Sequence, residues 1–124
     1  MPQDLGIADL ATIKNYKEIY TTTTISSNIL TLDLNNGNIF NVLLNSNILK
    51  ITISNIPSST HSISFTIIFT ADGTARAVNW PVSVIWPDGN APSITSTDTK
   101  IDVFSFTSTD GGSTWIGFVG GQNM

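Results

Sequence analysis

The chain has 124 residues, enough for one domain with a single buried core. Hydrophobic residues make up 40% of it, which excludes compositional disorder, while charged residues reach only 11% against the ~25% usual for soluble domains. The formal net charge is −4, and the five cations (Lys14, Lys17, Lys50, Arg76 and Lys100) form no cluster, which excludes the counterion-releasing surface that nucleic-acid binding uses.

Cysteine is absent, so neither a disulfide framework nor a thiolate metal site is available. No run approaches the ~18 apolar residues of a membrane helix, and the N-terminus lacks an apolar signal core. The expectation is a soluble chain with no membrane insertion and no cleaved signal. Ser, Thr and Asn fill about a third of the positions, a composition of strands and turns.

Residues 1–19 differ from the rest. They concentrate Asp4, Asp9, Lys14, Lys17 and Glu18, and their apolar Ile7, Leu10, Ile13 and Tyr16 recur every third residue. Acids early and lysines late suit the macrodipole of a short helix, although Gly6 and the modest length weaken a lone one. The segment is expected to be an attachment arm, with a β-domain over 20–124.

From Tyr20 onward the pattern has the period of a strand. Tyr20–Ile25 is an extended threonine tract, and Leu30, Leu32 and Leu34 alternate with Thr31 and Asp33. Asn35-Asn36-Gly37-Asn38 reads as a hairpin turn, since Asn and Gly tolerate positive φ. Strands follow at Ile39–Leu44 and Ile48–Ile53, with Leu49, Ile51 and Ile53 expected on one face. Ile63, Phe65, Ile67 and Phe69 give the clearest half-buried strand. Asp72-Gly73 turns the chain into a returning strand at Thr74–Asn79.

In NWPVSVIWPDGNAP (79–92), Trp80, Val82, Val84 and Trp86 share one parity, so an extended chain puts both indoles on one side. Pro81 and Pro87 lack the N–H that a central strand needs, which makes this an edge or a crossover between sheets. The indoles serve as core, as a stacking platform or as a subunit contact; the favoured expectation is core, with each N–H finding a carbonyl. A short strand at Ala91–Thr97, another at Ile101–Phe106, a hairpin turn at Asp110-Gly111-Gly112 and a last strand at Trp115–Val119 complete the pattern. Some seven to nine short strands at this spacing predict an all-β fold, an antiparallel β-sandwich or jelly-roll-like domain.

Catalytic material is scarce. His61 is the lone histidine, and Asp72, Asp88 and Asp110 each precede glycine, where turn geometry accounts for them. Neither a phosphate loop nor a metal-ligand series is present, so no enzyme activity, cofactor or metal is expected. A hydrolase would need carboxylates that share a cleft. Trp86, Trp115 and Tyr20 are the candidates for partner contact or for stacking on sugars.

DLNNGNIF (33–40), SFTIIF (64–69), the string W-P-x-x-V-x-W-P-x-G-x-A-P at 80–92, and the ending D-V-x-x-F…D-G-G-x-T-W-x-G from Asp102 to Gly117 resemble a β-domain of tailed-bacteriophage virion proteins. That domain is common in phages of marine bacteria and cyanobacteria, and the resemblance covers about three quarters of the chain. It implies a non-enzymatic structural module on the particle exterior, a homotrimeric tail-fibre or tail-associated component docked through its arm to other virion proteins. The matching Trp80, Pro81, Trp86, Pro87, Gly89 and Pro92 look like fold-defining positions. Related domains follow long shafts, whereas here only the arm precedes the domain, which brings in a capsid decoration protein as an alternative. A lectin-like module that reads host-surface glycans is the further alternative. A sparsely charged surface suits faces covered by copies of the same chain.

Overall fold

Alternation of large apolar with smaller or polar side chains gives the longer strands one face to bury, and eight strands form. The structure is a computed structural model and describes residues 12–124. The strands are β1 (Tyr20–Thr22), β2 (Ile29–Asp33), β3 (Ile39–Leu44), β4 (Lys50–Ser54), β5 (Ile63–Ala71), β6 (Val84–Ile85), β7 (Ile101–Ser108) and β8 (Trp115–Gly121). The fold is all-β: among the described residues the only helical turn is a 3-10 turn at Pro87–Gly89.

Two sheets share these strands, one of six in the order β1-β3-β5-β7-β8-β6 and one of two, β2-β4. The pairing corrects the antiparallel expectation. β1 with β3, β3 with β5, β2 with β4 and β6 with β8 are parallel; only β5 with β7 and β7 with β8 are antiparallel. The cause lies in the connections. For its first five strands the chain alternates between sheets, so each strand of one sheet is the crossover that returns the chain to the other. Asn35–Asn38 is therefore not a hairpin turn; it carries the chain from β2 in one sheet to β3 in the other. The Asp110-Gly111-Gly112 turn does close a hairpin, between β7 and β8.

One core receives both sheets. β5 sends Phe65, Ile67 and Phe69 inward, β3 sends Phe40, Val42 and Leu44, and β7 sends Phe104 and Phe106; Leu30, Leu32 and Ile51 come from the smaller sheet. Burying each such side chain is worth roughly 1.5–3 kcal/mol. Phe65 stacks on Phe106 at 4.9 Å and meets Trp115 edge-on at 4.9 Å. The inward face of β7 ends in polar residues, buried Asp102 and Ser108, each of which ties down a neighbouring segment.

Four expectations about strands need correction. Thr74–Asn79 forms no strand, contributing only an isolated bridge between Val78 and Ile48. Ala91–Thr97 is also irregular, and of Trp80–Trp86 only Val84–Ile85 pairs. Three prolines without N–H groups and the positive φ of Asp88 (56°) and Gly89 (71°) deny this stretch a continuous ladder. The expected parity of Leu49 also fails: Ile48 is buried in its bridge, Leu49 is exposed, and regular alternation resumes only at Lys50.

The arm enters the domain at one fixed point. The Ile19 carbonyl accepts the N–H groups of Asn38 and Ile39, both at 3.2 Å, and Asn38 Nδ2 donates to Glu18 at 2.8 Å. Gly37 (φ 144°) is required there, because a Cβ would lie 2.6 Å from that same carbonyl oxygen. Residues 12–19 contain no helical turn, so the expected short helix does not extend into them. Ile13 and Tyr16 are exposed, while Ile7 and Leu10 lie outside the described residues.

Candidate functional site

The two Trp-Pro pairs resolve first. Trp86 packs with its benzo edge over Gly117, where a Cβ would approach to 2.8 Å, and it meets Phe104 and Phe106 at 6.0 and 5.6 Å. Trp80 is half-buried and meets Trp86 edge-on at 5.0 Å. The indoles serve the core, as expected, but the expected partner for each N–H does not hold: Trp86 Nε1 is buried without a hydrogen bond. Trp115 is buried on the first residue of β8, against Phe65. Neither Trp86 nor Trp115 offers a free ring face, so the two drop out as sugar platforms. Of the three candidates only Tyr20 stays open, at 59% exposure on the sheet edge.

The ionisable groups stand on separate elements and serve the backbone. Asp72 forms a half-buried pair with Arg76 at 2.6 Å, and that guanidinium holds its carboxyl below the usual carboxylate range. Asp110 accepts Thr114 N–H and the Ser108 hydroxyl, both at 2.9 Å, which lowers it likewise. Asp33 accepts Asn55 Nδ2 at 2.7 Å and Asn35 N–H at 2.9 Å, joining the ends of β2 and β4; both bonds lower it. Asp88 occupies the 3-10 turn with positive φ. His61 lies in an exposed loop beside the hydroxyls of Ser58 and Thr60. Among the described residues no three His, Asp or Glu side chains come together as metal ligands would.

Among the described residues Asp102 is the one carboxylate at the core. It accepts N–H groups from Thr95 at 2.8 Å and Asn123 at 3.0 Å, and the Gln122 amide at 3.2 Å. Burial pushes its carboxyl up, but these donors outweigh burial and leave it below its ordinary value. The group latches the C-terminal residues, and Met124 and Ile101 exchange both backbone hydrogen bonds beside it.

Two concavities stand out on the surface of the described residues. An open groove of about 700 Å³ runs beside β1 and β2, lined by the hydroxyls of Thr21–Thr24, Ser26 and Thr31. A second of about 510 Å³ is floored by Trp80, Pro81 and Trp86, with fully exposed Val82 at its rim.

The most extended feature is the outward face of the six-stranded sheet. Strand registry sets Tyr20, Ile39, Thr66, Ser105 and Phe118 in one row across five strands. Thr22, Asn41, Ile68 and Val103 form the next row, with Leu43, Thr70 and Ile101 beyond. On the other side lie Ser64, Thr107, Ile116 and Ile85. No Asp, Glu, Lys, Arg or His occupies any of these positions. Two cross-strand hydroxyl pairs, Ser64 with Thr107 at 2.8 Å and Thr66 with Ser105 at 2.9 Å, tie its centre together. Sequence reasoning identified these strands without singling out this face. The available signal was hydroxyl and amide residues at outward positions where charges are usual, with no Asp, Glu, Lys or Arg between Lys50 and Asp72.

No protein-family model matches this chain, and neither a curated protein nor a solved structure shows significant similarity to it.

Proposed function

We propose that this chain is a non-enzymatic structural protein of a tailed-bacteriophage particle, a homotrimeric tail-fibre or tail-associated component on the virion exterior that docks through residues 1–19. The observation that supports it most is the use to which the chemistry-bearing residues are put. Trp86 and Trp115 fill the core, and Asp33, Asp72, Asp102 and Asp110 are engaged by turns and chain ends. The motif resemblance supplies the particle. The two sheets are read as the layers of a sandwich, a shape suited to repeated packing.

The arm's geometry supports its role as a mount. It is clamped at Ile19 beside β3 and exposes Ile13 and Tyr16. Deleting residues 1–19 is expected to release the protein from particles while the β-domain still folds, at some cost in stability because Asn38 and Ile39 lose the Ile19 carbonyl. Particles that retain the truncated protein would contradict the mount. Labelling on the head in place of the tail would turn the reading to capsid decoration.

The glycan reading survives only at Tyr20, which is exposed on the edge strand next to the threonine groove. It predicts that cell-wall sugars bind the wild type and not Tyr20→Ala. No binding by either protein removes it.

A further inference from the structure

We infer that the outward face of the six-stranded sheet is the contact between copies of this chain. The inference rests on the structural reading above and names the surface that reading needs.

Area is the first argument. Six strands at ~4.8 Å spacing span roughly 24 Å, and about six residues of ~3.3 Å along the strands give roughly 20 Å in the other direction. The accessible area of side chains standing on that footprint exceeds the footprint itself. Tyr20, Leu43, Ile85, Ile116 and Phe118 are each 44–59% exposed, on the order of 100 Å² apiece. With the half-buried residues between them, the face reaches roughly the 800 Å² per partner of a stable association.

Charge is the second. With no Asp, Glu, Lys, Arg or His on the face, a charged partner has nothing to pair with there, whether a polyanion or an acidic headgroup. Another copy presents the same neutral mixture of Ile, Val and Phe with Ser and Thr, so the surface complements itself. Hydroxyls are the third. In each of the pairs Ser64–Thr107 and Thr66–Ser105 one hydroxyl proton is already bonded within the sheet, which lowers the cost of excluding water. The remaining hydroxyl and amide groups, with Asn41 among them, require polar partners. A facing copy supplies these and hydrocarbon does not. Around a three-fold axis each copy turns this face inward and meets both neighbours with it, so one surface serves all three contacts.

The test is light scattering of the purified full chain and of three lysine variants, with near-UV circular dichroism of the buried indoles as the check on folding. The wild type is expected to scatter as three chains. Ile68→Lys and Ser105→Lys, in two different rows, are expected to scatter as single chains with unchanged dichroism. Thr31→Lys, on the exposed side of β2 in the other sheet, is expected to stay assembled. Lysine variants that assemble like the wild type overturn the inference. If either variant loses its dichroism, hydroxyl-radical labelling of the wild type decides, with protection of Tyr20 and Phe118 expected and full labelling overturning it. Wild type that is monomeric and binds phosphatidylcholine vesicles overturns it in favour of a lipid surface. A monomer that is nonetheless found on particles overturns this contact and leaves the virion reading standing; an assembled chain absent from particles does the reverse.

Discussion

Replacing Asp102 by alanine should loosen the closure of the β7–β8 end of the sheet. The carboxylate is buried, and its removal leaves the N–H groups of Thr95 and Asn123 without acceptors, while Gln122 keeps its bond to the Ser93 carbonyl. Thr95 is half-buried and Asn123 exposed, so each orphaned donor falls in the lower part of the penalty for unmet donors, about 1–2 kcal/mol, and the substitution should cost about 2–4 kcal/mol. That is a large share of the ~5–15 kcal/mol typical of a whole domain, and it corresponds to a melting point lower by about 10 °C or more. Asp102→Asn keeps one acceptor oxygen and should lose about half as much. Urea and thermal unfolding followed by tryptophan fluorescence measure both variants. Hydrogen exchange should also show the Met124 and Ile101 amides, which bond each other's carbonyls, opening faster while the β5 amides do not. An alanine variant within ~0.5 kcal/mol of the wild type would refute the latch, as would an asparagine variant less stable than the alanine one.

The same carboxylate sets an acid dependence. Its folded value lies below its ordinary one, so its stabilisation is complete above about pH 4 and is lost as pH falls through the lower folded value. Unfolding titrations from pH 6 to pH 2.5 should show wild type losing stability more steeply than Asp102→Asn, with a residual slope from Asp33, Asp72 and Asp110, which are shifted the same way. Gly117→Ala places a methyl against the Trp86 ring and should destabilise by about 1–3 kcal/mol with a changed tryptophan emission; unchanged emission would mean the ring does not sit there. Trp86→Phe gives up ring contacts but removes a buried N–H that has no partner, so its net cost in chemical unfolding should stay below about 2 kcal/mol, whereas 3–5 kcal/mol would show that the N–H is bonded.

Faces were more legible than partners. Local alternation placed β3 at residues 39–44, and it located β5, β7 and β8 with their buried sides, because Phe65, Ile67, Phe104 and Phe106 leave one way for each strand to turn. Which strand lies beside which is a non-local property. Asn35–Asn38 has the residues of a tight turn, yet the same residues, with positive φ at Gly37 alone, serve a crossing between sheets equally well, and nothing nearby distinguishes the two. Ile48 bridges Val78, thirty positions away, and that contact broke a parity that Leu49, Ile51 and Ile53 display clearly in the sequence. At 79–92 the prolines signalled an interrupted strand and Trp86 was expected in the core. Its unpaired N–H depends on neighbours from β7 and β8 that no local pattern names. The neutral sheet face was half visible, as hydroxyls in place of charges, but it becomes a continuous surface only once β3, β5, β7 and β8 are known to lie side by side.

Imaging of the assembled particle at side-chain resolution tests the central claim most directly. The account predicts three copies mounted on the virion, with Ile68, Ser105 and Phe118 of each in contact with another copy and Val82 left to solvent. A chain found on the particle with that sheet face open to water, or joined to its neighbours through the Trp80 groove instead, would contradict it.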